Sequence, residues 1–131
     1  MAKRRAELSA VEWEIMQAVW RLNKPVTVRD VLEQAYPGAE KAYTTVQTFM
    51  NILVDKRFLR RKKTGLVNFY TAAAARETVL RQSLQALAQR MFHGSFGAMA
   101  SFLVSSNHLS AAELAELRQL LEEQSGGKSD G

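Results

Sequence analysis

The fold is decided by residues 42–56, AYTTVQTFMNILVDK, which we interpret as one helix with two opposed faces. Its apolar residues recur at the spacing of a buried helical face: Val46, Phe49, Met50 and Leu53. A second set repeats that spacing two residues out of phase and carries hydroxyls and amides: Thr44, Gln47, Thr48 and Asn51. These groups both donate and accept hydrogen bonds, so they suit base edges as well as phosphates. The alternative is an ordinary polar surface, which amphipathic helices commonly have.

The residues that follow this helix predict a basic β-hairpin. Residues 58–63 (FLRRKK) form a first strand, Thr64-Gly65 a turn, and residues 66–71 (LVNFYT) alternate like a half-buried strand. Four consecutive cations end the first strand: Arg60, Arg61, Lys62 and Lys63. They favour a wing that lies along a DNA backbone, where each cation near a phosphate releases a counterion. The alternative is a charged edge strand that resists aggregation.

Two shorter helices are predicted before the two-faced helix. Ser9 and Glu12 have the spacing of a capping box, and the helix that they begin ends near residues 22–23. Thr27 is the expected cap of the second helix, with Asp30 three residues later. Three helices followed by a basic hairpin predict a winged helix-turn-helix DNA-binding domain over residues 1–74.

Residues 75–124 predict helices whose apolar faces exceed what they can bury on each other. The residues that we expect at these faces are Leu80, Leu84, Leu87, Phe96, Met99, Phe102, Leu114, Leu117 and Leu121. We expect them to pair with a second copy rather than fold back, because one helix-turn-helix binds a short half-site weakly. The predicted class is therefore mainly α with a small β-hairpin wing, followed by a C-terminal helical dimerisation region. Residues 125–131 are polar and Gly-rich, and are expected to be disordered.

The net charge of +5 is unevenly distributed along the chain. Residues 1–63 hold 13 Lys or Arg against 7 Asp or Glu, whereas residues 64–131 hold 5 against 6. A basic first half favours a polyanionic partner, and an amphipathic neutral second half favours a protein partner. No apolar run approaches the ~18 residues of a membrane span, and no signal-peptide core is present. We therefore expect a cytoplasmic protein without direct membrane binding.

The sequence offers little for catalysis or metal binding. The absence of cysteine excludes disulfides, thiolate metal sites and cysteine nucleophiles. His93 and His108 lie fifteen residues apart without cysteine partners, so no metal site is predicted. Neither a nucleophile–base pair nor a Gly-rich phosphate loop is recognisable. We predict that the chain is not an enzyme and needs no cofactor.

Four segments of the chain are similar to a known family. They are residues 42–48 (AYTTVQT), residues 53–56 (LVDK), Gly65 with residues 69–71 (FYT), and residues 109–114 (LSAAEL). The family that they resemble is the penicillinase-repressor family, the winged-helix repressors of β-lactamase and methicillin-resistance genes. The resemblance runs from about Leu8 to Glu123. Two positions depart from it: Arg57 stands where the family usually has Gly, and Leu66 stands where it usually has Arg or another polar residue.

The resemblance implies an interlocked dimer, an operator with TACA/TGTA-like cores, and, in the β-lactam-responsive branch, a membrane sensor-protease as partner. In that branch the repressor is cut in its helical half at an Asn-Phe bond. The matching position here is Ser101-Phe102, with Ser in place of Asn. The alternative is that Phe102 is only a core residue of the dimer. The copper-responsive branch carries a cysteine cluster, so copper sensing is not expected of a chain without cysteine.

These observations predict a dimeric, sequence-specific transcriptional repressor that binds a double-stranded palindromic operator. We expect Thr44, Gln47, Thr48 and Asn51 to face the major groove, with Gln47 and Asn51 best suited to an adenine edge. Tyr43 and Thr45 should fix the register on phosphates. The alternative function is a winged-helix module for protein contacts. Such a module should carry apolar residues at positions 44, 47 and 48.

Overall fold

A computed structural model describes the backbone of residues 7–129 and the side chains of residues 7–126. Within residues 7–129 the chain forms six helices and one two-stranded sheet. The elements, in order, are α1 (Ala10–Leu22), α2 (Val28–Ala35), α3 (Tyr43–Asp55), β1 (Leu59–Thr64), β2 (Val67–Ala72), α4 (Arg76–Phe92), α5 (Phe96–Ser105) and α6 (Ala111–Ser129). This order confirms the predicted class, three helices and a hairpin followed by helices. No helix within the described residues is both long enough and apolar enough to cross a membrane.

Local capping explains where the first two helices begin. The hydroxyl of Ser9 accepts from the Glu12 amide at 3.2 Å, and the Glu12 carboxylate accepts from the Ser9 amide at 2.7 Å. Thr27 and Asp30 form the same reciprocal pair, at 3.1 and 3.0 Å, before α2. Each box satisfies two amides that a helix start would otherwise leave without partners. The predicted capping box at Ser9 and the predicted cap at Thr27 are both confirmed.

The core of the first unit lies between α1, α3 and the hairpin. Its fully buried side chains come from every element up to β2, from the segment before α2 and from α4: Ile15, Met16, Val19, Val26, Val31, Val46, Met50, Leu53, Leu59, Tyr70 and Val79. Tyr70 also joins the hairpin to the segment before α2, because its amide and carbonyl pair with those of Val26 at 2.7 and 2.9 Å. The hairpin is thereby fixed to the helices that precede it.

The hairpin is displaced by one residue from its predicted bounds. β1 pairs antiparallel with β2 from Leu59 opposite Ala72 to Thr64 opposite Val67. The amide of Phe58 is not available for the ladder, because it donates to the carbonyl of Leu53 in the last turn of α3 at 2.9 Å. The turn is therefore Gly65-Leu66 rather than Thr64-Gly65, and Gly65 adopts the left-handed φ of 64°.

The chain divides into two compact units between residues 83 and 84, inside α4. Val79 remains in the core of the first unit, at 2% exposure, so the first turns of α4 belong with the winged helix. The expected functional boundary after residue 74 stays a prediction. The expected disorder of residues 125–131 also stays a prediction, although the backbone of α6 continues to Ser129. A started helix gains one hydrogen bond for each residue it adds. Residues 130–131 lie outside the described residues.

Candidate nucleic-acid interface

α3 has the two faces that its sequence predicts. Val46, Met50 and Leu53 are completely buried against the first unit. The opposite side carries exposed Thr44 and Thr48, together with partly exposed Gln47 and Asn51. The helix therefore presents a row of hydroxyl and amide groups outward, and the burial of its other face sets the direction in which that row points.

The start of α3 differs from the starts of α1 and α2. Its N-cap residue is Ala42, which makes no side-chain capping bond, and its first turn contains no acidic residue. Tyr43 and Thr45, the predicted phosphate contacts, are both exposed at this end. First-turn amides and the positive end of the helix dipole attract anions. The start of α3 is therefore well suited to a phosphate group.

Two cations beside this helix start were not assigned from the sequence. The guanidinium of Arg29, on α2, lies 5.5 Å from the centre of the Tyr43 ring. The ammonium of Lys41 lies 5.4 Å from the centre of the Tyr36 ring. Both contacts fall in the range of cation–π interactions. Their only signal in the sequence was the basic excess of the first half, which did not show that α2 would bring Arg29 to Tyr43.

Asn51 joins α3 to the wing, whereas its position in the sequence predicts a contact with an adenine edge. Its Oδ1 accepts from Nη1 of Arg61 at 2.7 Å and from the buried hydroxyl of Tyr70 at 2.9 Å. Burial raises the pKa of the Tyr70 hydroxyl, and Arg61 only partly opposes this, so the hydroxyl keeps the proton that it donates. Reading an adenine needs the Asn amide to accept and donate at once. Because Oδ1 already serves two internal donors, the expected adenine contact by Asn51 conflicts with this geometry.

Thr48 and Gln47 of α3 differ in the hydrogen bonds that they can offer a partner. The hydroxyl of Thr48 donates to the carbonyl of Thr44 at 2.9 Å, one turn back along the helix. Its proton is thus occupied, and its methyl group and oxygen lone pairs are what it can offer. Gln47 is partly exposed and makes no side-chain hydrogen bond among the described residues. Gln47 is therefore the better candidate for an adenine edge.

The four predicted wing cations lie on β1 and are all exposed. Successive side chains of a strand point to opposite faces. Arg61 and Lys63 share the face of buried Leu59, toward α3, whereas Arg60 and Lys62 lie on the other face. The strand thus divides the cationic run into two pairs, and one member of the inner pair, Arg61, is held by Asn51.

The far end of α3 is tied to α1 by an ion pair that the sequence did not predict. Nζ of Lys56 lies 2.8 Å from Oε1 and 2.9 Å from Oε2 of Glu12, which is 2% exposed. Burial raises the pKa of Glu12, but the bonds from Lys56 and Ser9 and the charge of Lys56 outweigh it, so the pKa is lowered. Arg57 follows at a φ of 70°, a left-handed conformation. This explains why glycine suits the position.

The second unit exposes much of the apolar surface that was predicted to form a dimer. Leu87 and Met99 are partly buried, and so is Leu80, which lies in the part of α4 that belongs to the first unit. The remaining members of the predicted set are between 38% and 67% exposed: Leu84, Phe96, Phe102, Leu114, Leu117 and Leu121. Ser101-Phe102, the predicted cleavage position, lies inside α5 and is exposed, and the ring of Phe102 lies 6.1 Å from that of Phe92.

Comparison with known proteins gives a consistent result. A family model described as penicillinase repressor matches residues 8–123. An uncharacterized 16.5 kDa protein of Latilactobacillus sakei, from the ptsI 3′ region, is 30% identical over 121 residues, which is 92% of this chain and 82% of that protein. The methicillin resistance regulatory protein MecI of Staphylococcus aureus is 24% identical over 88% of this chain and 93% of its own length.

Two further matches come from Bacillus licheniformis. The penicillinase repressor of that organism is 24% identical over 98% of this chain and 99% of its own length. The solution structure of monomeric BlaI in complex with the blaP half-operator covers 58% of this chain and 92% of its own, at 24% identity and a TM-score of 0.48.

Proposed function

This chain belongs to the penicillinase repressor family, and from that premise we propose that it acts as a dimer on a palindromic operator. As a member of the family it is a DNA-binding transcriptional repressor rather than an enzyme. The observation that carries the proposal is the outward row of hydroxyls and amides on α3, which lies beside a basic wing. We place its action in the cytoplasm, where it would meet chromosomal DNA.

α3 enters the major groove, with Gln47 on an adenine edge and Thr44 and Thr48 on neighbouring bases. Tyr43 and Thr45 bind phosphates at the uncapped helix start, where Arg29 adds positive charge. The wing cations bind the adjacent backbone: Arg60, Arg61, Lys62 and Lys63. Asn51 acts through Arg61, because it holds the guanidinium at 2.7 Å in a fixed position.

The second unit pairs with a second copy of the chain. Its helices expose six leucine and phenylalanine side chains of the predicted set, and isologous pairing would remove this surface from water. Two linked winged helices would then bind two half-sites as one unit, with an affinity that one module cannot reach.

For release, we propose cleavage at Ser101-Phe102 by a membrane sensor-protease, as the family resemblance implies. The bond lies within α5, so this helix must open locally before a protease can bind its backbone. Separation of α6 from the winged helix would remove the link between half-sites. If induction frees the operator while the chain stays whole, Phe102 is only part of the dimer surface.

Selection of duplexes from a random DNA pool tests the proposed function. The selected sequences should contain two inverted half-sites, and a labelled selected duplex should survive excess random competitor at a stated salt concentration. The protein–DNA complex should contain two chains in sedimentation experiments. If specific and random competitor DNA displace the labelled duplex equally, and no sequence is enriched, the chain is a winged-helix module that serves protein contacts.

A further inference from the structure

The tip of the wing carries the most exposed large apolar side chain in the described part of the chain. Leu66 is 95% exposed, and its neighbour Val67 is 45% exposed. Both follow the strand that carries four exposed cations. A hairpin that needed only charge for solubility would gain nothing from an apolar tip, since charged side chains are what protect such edges.

The turn geometry holds this side chain at the apex of the hairpin. Thr64 pairs with Val67, so the connecting loop has two residues. Gly65 occupies the first position with a φ of 64°, and Leu66 the second without a left-handed φ. Glycine at the first central position is typical of the type II′ turn, whose twist matches that of the strands. Leu66 is therefore displayed by a regular hairpin rather than by a loose loop.

The length of the hairpin relates its tip to the groove beside α3. The contact between Arg61 and Asn51 marks the place where the wing leaves α3. β1 continues three residues beyond Arg61 to Thr64, and the two-residue turn adds about one more step, so Leu66 lies roughly 13 Å beyond Arg61. Half of the roughly 34 Å helical repeat of DNA, about 17 Å, separates the centre of the major groove from that of the minor groove. A wing that crosses the phosphate backbone at Lys63 therefore directs the Leu66 side chain toward the minor groove.

We propose that Leu66 enters the minor groove next to the major groove that α3 occupies, and selects A·T pairs there. This inference rests on the proposed function. A G·C pair places the 2-amino group of guanine in the minor groove, whereas A·T pairs leave its floor open. An apolar side chain cannot hydrogen-bond that amino group and would bury it without a partner. Apolar side chains at such positions are known wedges between base steps.

A lipid surface is the other polyanion that a basic hairpin with an apolar tip could meet. One leucine and a half-exposed valine supply much less apolar surface than an acyl chain, which alone anchors a protein only marginally. DNA fits better, because the hydrogen bond between Arg61 and Asn51 makes the wing continuous with the outward face of α3.

The experiment uses the full-length protein and a duplex obtained by selection. Base pairs outside the α3 contacts are replaced one at a time by G·C and by inosine·cytosine, which share the major-groove pattern but differ in the 2-amino group. At the wing position we expect the wild type to prefer inosine·cytosine to G·C by about fivefold, the low end of the penalty for one wrong pair. L66S should lose this preference, and the matched apolar variant L66M should retain it.

The outcomes separate the two proposals. If the wild type enriches no sequence, the proposed function fails. If it binds its selected duplex but shows no inosine preference at any flanking pair, or if L66S keeps that preference, the role of Leu66 is refuted while the repressor function stands. Flotation with phosphatidylglycerol vesicles is run in parallel. Vesicle binding that L66S abolishes, with DNA selectivity unchanged, would assign the tip to membranes instead.

Discussion

The hydroxyl of Tyr70, on strand β2 of the wing, donates a hydrogen bond of 2.9 Å to Oδ1 of Asn51, on the outer side of α3. Because Arg61 donates to the same oxygen, one amide holds a buried phenol and an exposed guanidinium together. The recognition helix and the wing are thereby connected at the surface that faces the DNA in our proposal. A change in either element should affect the position of the other.

Asn51→Ala should destabilise the protein and weaken DNA binding together. The substitution leaves the Tyr70 hydroxyl buried without a partner, which costs about 1–3 kcal/mol of unfolding free energy in urea. Tyr70→Phe is the matched control, because it removes the donor and leaves Oδ1 to Arg61, so it should cost about 1 kcal/mol. A large loss of operator affinity with unchanged stability would instead identify Asn51 as a base-reading residue.

Gln47→Ala should weaken specific DNA binding selectively. Loss of one bidentate base contact costs roughly 1–3 kcal/mol on the selected operator and little on random DNA. Gln34→Ala, on α2, is the control for a general loss of an amide. Competition titrations at one salt concentration measure both affinities. Equal weakening on both DNAs would exclude Gln47 from base reading.

The wing cations should determine the salt dependence of binding. Replacement of each of residues 60–63 by Gln should reduce the slope of log K against log salt concentration by about 1 when that residue contacts a phosphate. Arg21→Gln is the matched control, because it removes one positive charge from the last turn of α1, outside the wing. An unchanged slope in the fourfold variant would mean that the cations only protect a strand edge.

The ion pair between buried Glu12 and partly exposed Lys56 should make the first unit sensitive to acid. Since the pKa of Glu12 is lowered on folding, its contribution is complete above the ordinary glutamate pKa and is lost as the pH falls through the folded value. Unfolding free energy measured against pH should therefore fall in this acid range. Glu12→Gln should flatten that part of the curve, and an unaltered curve would contradict the assignment.

The exposed leucines of α6 should hold the proposed dimer together. Leu117→Ser with Leu121→Ser should produce monomers, because each side chain is already at least 40% exposed in the single chain and supports the pair rather than the fold. Glu116→Ser, on the same helix, should remain dimeric. Sedimentation equilibrium distinguishes the two states. A wild-type monomer at micromolar concentration would refute both the dimer and the two-half-site operator.

Sequence reasoning succeeded where the deciding interactions are local. The pairs of Ser9 with Glu12 and Thr27 with Asp30 span three residues, so their spacing alone predicts both helix starts. It did not reveal the partners of Asn51, which lie 10 and 19 residues away. It also did not reveal the contact between Glu12 and Lys56, which are 44 residues apart. Periodicity shows which face a residue occupies but not which side chains meet across elements.

The hairpin bounds failed for a related reason. Residues 58–63 have a strand-like sequence, but the Phe58 amide serves the end of α3. Only the folded chain shows that competition between a helix end and a strand start. For α6, the spacing of the leucines predicts which face is apolar. The same spacing does not show which surface covers that face.

The start of α3, which has no side-chain cap, should be more stable in the DNA-bound protein than in the free protein. α1, α2 and α6 each begin with a reciprocal side-chain pair, but Ala42 supplies none to α3. A phosphate oxygen bound to the first-turn amides would complete this helix in the way that a serine completes the others. The nucleic acid would then serve as a structural part of the protein's own helix. The free protein forgoes that stabilisation, and the same alanine keeps the amides open to a ligand.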